Sequence, residues 1–131
     1  MGWEARLYRY PADMARLELL RLRLAELSSL TAQSYDALGG RGGDPVGRRL
    51  DLALDIERRI AALEMQTRPT TALLAWLDGG GEELRQLGDI LRRRWFKRES
   101  WWEIRHGMSL SERTLRRKKQ ELLRILEEWA W

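Results

Sequence analysis

The stretch SWWEIRHGMSLSERTLRRKK (residues 100–119) sets two aromatic residues and an isoleucine ahead of a glycine, with a serine-led basic run behind it. Ser100 and Glu103 have the spacing of a capping box. In that motif the serine hydroxyl accepts the N–H of the third helical residue and the glutamate reaches back to the cap. The helix it opens is short, because Gly107 follows after about two turns. Ser109, with Glu112 three residues on, and Ser111 are alternative N-caps for the next helix. Ser111 is preferred, since Leu110 then stands just outside the helix where it can pack against Leu115. Ile104, Met108, Leu110 and Leu115 are spaced to form a small core between two helices joined by a tight turn. Such a pair presents the first half of its second helix, which fits a DNA major groove about 12 Å wide.

On that second helix Leu115, Leu122, Leu126 and Trp129 mark the buried side, so Arg113, Arg116, Arg117 and Gln120 fall opposite. Arginine can bond guanine O6 and N7 together, and glutamine can do the same with adenine N6 and N7. These four are therefore the candidate base-reading residues. Arg94, Lys97, Arg98, Ser100, Lys118 and Lys119 suit phosphates, whose contacts position a protein without specifying sequence. The first backbone N–H groups of the 101–107 helix are further candidate phosphate donors.

Charge supports this division. The chain has 131 residues and a net charge of +4, yet residues 1–91 carry −2 and residues 92–131 carry +6. Within 92–119 eleven basic residues stand against three acidic ones, the footprint of a phosphate-binding surface. Twenty-one of the 24 basic residues are arginine, a bias that genome composition alone can produce on any solvated face. Clustering, rather than identity, is what points to nucleic acid.

Upstream, Pro11 with Ala12 and Asp13 is expected to open a first helix running to about Leu30. Its apolar face is Leu17, Leu20, Leu24 and Leu27, widened by Leu19, Leu22 and Leu30. A polar, Gly-rich connector (28–47) follows. A second helix is expected from Pro45, with Asp44 as N-cap and the stripe Val46, Leu50, Ala53, Ile56, Ile60 and Leu63. The connector is long enough for the two helices to pair as an antiparallel hairpin. Pro69 is expected to break the chain before a short helix over 72–77, which Asp78 and Gly79–Gly81 end. Glu82 and Glu83 then open a helix at the end that favours acids, with Leu84, Leu87, Ile90, Leu91 and Trp95 turned inward. No stretch alternates with period two. The expected fold is all-α, with a helical hairpin and short helix over 1–78 for packing or oligomerisation and a DNA-binding helix-turn-helix over 79–131.

Other chemistries find no constellation. There is no cysteine, which excludes disulfides and thiolate zinc sites and suits a reducing cytoplasm. His106 is the single histidine and is expected at the surface or at a helix C-terminus, so neither a metal site nor a catalytic centre is expected. GGRGGDPVG lacks the GK[ST] ending of a phosphate-binding loop. No cofactor and no small-molecule substrate are expected. MGWEARLYRY has no signal-peptide core, and PTTALLAWL (69–77) is too short to span a bilayer, so no membrane partner is expected. Among the tryptophans, Trp76, Trp95 and Trp129 fall on apolar stripes and are expected in the core. Trp101 and Trp102 point about 100° apart on a helix, so one is expected inside and the other free to meet sugar-phosphate or a protein. Exposed Trp129 and Trp131 would point to an oligomer or polymerase contact.

Residues 91–129 resemble the sigma-like helix-turn-helix of phage late-transcription regulators of the RinA and ArpU type. The family pattern is met by Arg94-Trp95-Phe96, Ser100-Trp101-Trp102-Glu103-Ile104 and Ser111-Glu112-Arg113-Thr114-Leu115. Upstream, Tyr8, Tyr10 and Pro11, the leucine-rich helix, the glycine-rich loop at 39–45 and a second amphipathic helix are similar too. The resemblance implies a regulator of phage late, packaging or lysis genes that binds double-stranded DNA and works with the host RNA polymerase. Its DNA module would be related to promoter-binding region four of bacterial sigma factors. Arg113, Arg116 and Arg117 would face DNA, while Trp101 and Ile104 would belong to the supporting helix. Three positions depart from the family. Arg105 stands where a small residue is usual, Ser109 where the turn glycine is usual, and Lys118 where an inward apolar residue is usual. A homodimer through residues 14–30 and 46–63 is the expected self-association. A small terminase subunit and a basic adaptor docking on RNA polymerase are the alternative readings.

Overall fold

The structure, a computed structural model, describes the backbone of residues 2–38 and 45–131 and the side chains of residues 2–30 and 47–131. All regular elements of the described residues are helical, as expected. They are α1 (Trp3–Leu38), α2 (Pro45–Gly79), α3 (Glu82–Leu91), a π-helical turn (Arg92–Phe96), α4 (Trp101–Gly107) and α5 (Glu112–Glu128). The expected Asp44 cap and the Gly-rich half of the connector lie outside the described residues.

Two expected breaks are absent. Pro11 lies inside α1, which begins at Trp3, and Pro69 lies inside α2, so residues 72–77 are the end of a long helix. A proline in a helix interior removes one backbone hydrogen bond and costs about 3 kcal/mol. Burial on the far side of each proline outweighs that cost. Before Pro11, Leu7 is fully buried, Trp3 meets Trp95 edge-on at 5.6 Å, and the Tyr10 hydroxyl lies 2.9 Å from Thr71 Oγ1. After Pro69, Thr70, Leu73 and Leu77 are buried, and the Pro69 carbonyl accepts the Trp129 indole N–H at 3.0 Å.

The chain divides into two compact units, Met1–Pro11 with Thr67–Trp131, and Ala12–Gln66. This division differs from the expected boundary at 78/79. Leu7, Leu73, Leu74 and Leu77 belong to the same core as Leu87, Ile90, Leu91, Ile104, Leu115, Leu122 and Leu126, so the C-terminal third completes its core with both ends of the upstream helices. Both divisions fall close to the prolines, where each helix has lost a hydrogen bond.

In the 12–66 unit Leu17, Leu20 and Ile56 are buried. Arg21 pairs with Glu64 at 2.8 Å and Arg49 donates to the Leu30 carbonyl at 3.1 Å, so the segments of α1 and α2 run antiparallel. Among the described residues Leu19, Leu22, Leu30, Leu50, Leu54 and Met65 are all exposed.

In the other unit, α2 turns into α3 through Gly81, whose φ of 98° suits a residue without a Cβ. At the end of α3 the Lys97 N–H bonds the Arg92 carbonyl at 2.9 Å, five residues back, which defines the π-turn. That turn carries Trp95 into the core and leaves Arg92 paired with Asp78 at 2.8 Å. The Arg92 hydrogen bond holds the Asp78 carboxyl below its ordinary pKa. Leu7→Ala is expected to cost about 2–5 kcal/mol in urea unfolding. Glu18→Ala, at an exposed position of the same helix, should stay within about 0.5 kcal/mol.

Candidate nucleic-acid interface

Both expected caps form. Ser100 Oγ accepts the Glu103 N–H at 3.1 Å while Glu103 Oε1 accepts the Ser100 N–H at 3.1 Å, a complete capping box. Ser111 Oγ accepts the Thr114 N–H at 3.1 Å and caps α5. Between them Ser109 adopts φ 55°, in the left-handed region. Its N–H donates to the His106 carbonyl at 3.2 Å, and the Leu110 N–H donates to the Arg105 carbonyl at 2.9 Å. These two bonds are the Schellman pattern that ends a helix, with serine at the position usually given to glycine. Ile104 and Leu115 are buried, and Met108 and Leu110 pack against the same core.

The buried side of α5 is Leu115, Lys118, Leu122, Ile125 and Leu126. Arg113, Arg116, Arg117 and Gln120 are exposed. They are not equivalent, however. Arg117 reaches toward α3 and lies 3.3 Å from Glu83, whereas no ion pair engages Arg113 or Arg116 among the described residues. Gln120 shares the groove between α3 and α5 with Glu83 and Arg117.

The six expected phosphate residues divide more sharply. Lys97 and Arg98 are exposed just after the π-turn, with the Arg98 guanidinium 5.2 Å from the Tyr8 ring. Arg94 is half-buried, donates to the Glu99 carbonyl at 3.1 Å and lies 5.1 Å over the Trp101 ring. Lys119 Nζ lies 4.6 Å over that same ring. The phosphate role expected of Lys118 is corrected: it is 3% exposed and its ammonium sits 3.2 Å from Glu83 Oε1, which turns it to packing α5 on α3. The Lys118 hydrogen bond, followed by its charge, holds Glu83 below its ordinary pKa, and Arg117 adds to the effect. Ser100 is exposed and engaged in the capping box. Its hydroxyl and its N–H are both engaged with Glu103, and that carboxylate occupies the end of α4 where a phosphate was expected to bind.

The structure also brings forward groups that the residue pattern left in the background. Trp101 is half-buried between two cations, while Trp102 is 64% exposed and stacks on His106 at 3.9 Å. His106 Nδ1 lies 2.9 Å from the Trp102 carbonyl, so the imidazole is fixed against its own helix. The 102/106 spacing is that of helical neighbours and carries this contact in the sequence. Glu83 had no such signal. Its partners are 34 and 35 residues away in the chain. Trp76 is 45% exposed and leans on Trp129 at 5.7 Å, so it covers the core from outside instead of filling it. Trp129 and Trp131 are part-buried against the core.

Among the described residues no group of three or more His, Cys, Asp or Glu could hold a metal ion, and no helix is long and apolar enough to cross a membrane. Comparison with protein-family models, with curated proteins and with solved structures gives no match.

Two outcomes follow from this geometry. Ser109→Gly removes the left-handed strain and should raise stability by about 0.5–1 kcal/mol in urea unfolding. Glu83→Gln should lower Tm at neutral pH, because Lys118 is then buried without its carboxylate. A lowered folded-state pKa gives a contribution that is full above the ordinary value of 4.5 and fades as pH falls through the folded-state value. The Tm gap between wild type and Glu83→Gln should therefore close in acid, and Lys118→Met should leave only the smaller part due to Arg117.

Proposed function

We propose that the protein binds double-stranded DNA through α4 and α5 acting as a helix-turn-helix, and that it is a sequence-specific transcription regulator of phage genes working with the host RNA polymerase. The observation that carries this reading is the exposed face of α5. Among the described residues no ion pair engages Arg113 or Arg116 there, Gln120 is exposed beside them, Lys119 lies on the same helix, and Lys97 and Arg98 stand just after the π-turn. Side chains of that kind match the donor and acceptor pattern of a major groove, and the flanking cations match phosphates. The two caps and the left-handed Ser109 hold the turn, and the buried Lys118 fills an inward position through its stem. A helical hairpin over the 12–66 unit completes the proposed arrangement.

A salt titration of duplex binding tests the reading. Arg94, Lys97, Arg98 and Lys119 as phosphate contacts give a log–log slope near −4, at about −0.9 per neutralised phosphate. Arg116→Ala should relax sequence preference at a single base pair, while Lys97→Ala should weaken all duplexes alike. Failure to bind any duplex at about 50 mM salt would overturn the DNA reading and favour a basic adaptor that docks on an acidic protein.

The exposed Leu19, Leu22, Leu30, Leu50, Leu54 and Met65 support self-association through the 12–66 unit. They keep a second reading in play, a small terminase subunit, in which DNA-binding modules are carried on an oligomerising helical hairpin. Light scattering separates the two: a monomer or dimer fits the regulator, and a ring of many copies fits the terminase subunit.

A further inference from the structure

The cations of α5 are unevenly neutralised. On the side facing α3, Arg117 and Lys118 share Glu83, and Arg124 pairs with Glu121 at 2.6 Å. On the side facing α4, Arg105, Arg116 and Lys119 line a groove of about 380 Å³, with Glu112 as its one carboxylate. No ion pair involves these three cations among the described residues. The wall of that groove is aromatic, since Trp101 and Trp102 both line it.

Trp102 is the unusual member. Core packing does not hold it, as it is 64% exposed. It is nonetheless held in place, because one ring face lies on His106 at 3.9 Å and 28°. The imidazole is itself tied to the Trp102 carbonyl at 2.9 Å. An indole with one face covered and the other open, beside three uncompensated cations, suits a ligand that combines a flat ring with a negative charge. Nucleotides do so, and a groove of this size lies within the range of about 300–1,000 Å³ that small-ligand sites occupy. In duplex DNA the faces of the bases are covered by their neighbours in the stack. The ligand that fits an open indole face is an unpaired nucleotide.

We propose that the groove between α4 and α5 is a second nucleic-acid site, which binds a nucleotide of single-stranded DNA with its base on Trp102 and its phosphate between Arg116 and Lys119. The base would extend the His106–Trp102 stack by one ring. The flanking Trp101, under Lys119 at 4.6 Å, holds that ammonium at the groove. The site shares Arg116 and Lys119 with the duplex surface proposed above, and Trp102, which takes no part in that surface, is what distinguishes it.

The test is titration of the full chain with a short oligothymidylate, followed by tryptophan fluorescence and by anisotropy of a labelled strand. Saturable quenching is expected, and Trp102→Ala should weaken binding about 5- to 150-fold, the range of one base–aromatic stack. Trp102→Phe should keep most of the affinity. Inorganic polyphosphate of equal charge should bind without the Trp102 dependence. Equal affinity of wild type and Trp102→Ala for the oligothymidylate would overturn the proposal. So would an acidic peptide that competes as well as the oligonucleotide, which would assign the groove to a protein partner. Trp102 is exposed, so thermal melts should show the variants folded. Duplex binding without single-strand binding sinks this inference alone, and single-strand binding without duplex binding sinks the function proposed above alone.

Discussion

Trp95 is the side chain on which the basic face depends. The widened turn at Arg92–Phe96 places it in the core at 3% exposure, between Trp3 at 5.6 Å and Trp101 at 6.1 Å, each ring meeting it edge-on. Edge-to-face contact sets the positive rim of one ring against the negative face of another, so it fixes orientation as well as distance. A regular α-helical turn would rotate each later residue relative to the core. The five-residue closure from Lys97 to Arg92 instead releases the chain toward α4 with Arg94 over Trp101. The start of α1, the end of α3 and the start of α4 are thereby tied through one indole.

Electrostatics then sorts the surface that this core presents. Eleven basic residues between 92 and 119 would repel one another if left unpaired, and the fold relieves only one side of the problem. Glu83 opens α3 at the end where the helix dipole favours an acid, and from there it reaches both Lys118 and Arg117. Taking a lysine out of water is costly unless a counter-charge accompanies it. Glu83 is therefore a condition for packing α5 on α3. On the side toward α4 the groove is lined by Glu112 as its one carboxylate, and among the described residues no ion pair engages Arg105, Arg116 or Lys119 there. An arginine-rich sequence has thus produced one neutral seam and one basic groove on the same helix.

What could be foreseen from the sequence was local. Ser100 with Glu103 and Ser111 with Leu110 are short-range patterns whose chemistry acts within one helical turn, and both formed as expected. The stripe of Leu115, Leu122 and Leu126 was legible because burial on α5 follows helical periodicity. Pro11 and Pro69 stand inside helices for the opposite reason. Their local penalty is plain in the sequence, while the burial of Leu7, Leu73 and Leu77 that outweighs it depends on partners far along the chain. Lys118 is a similar case: its position on the inward side of α5 was evident, but a lysine there is intelligible only once Glu83 is known to stand opposite. The apolar width of α1 was legible too, and Leu19, Leu22 and Leu30 on it are exposed among the described residues.

The shortness of α4 constrains how any ligand could be held. A helix of seven residues has little stability of its own, because nucleation is unfavourable and few internal bonds follow it. Here both ends are closed by specific bonds, the capping box at Ser100 and the pair at Ser109 and Leu110, while Ile104 anchors the middle in the core. His106 stacked on Trp102 stiffens the outer face. The strain accepted at Ser109 therefore has a structural counterpart. It lets the chain reverse within a few residues, so that Trp102 on α4 and Arg116 on α5 line one groove although fourteen positions separate them. A longer or looser connection would leave the same residues exposed but unaligned, and ordering them on a ligand would then cost conformational entropy that this turn has already removed.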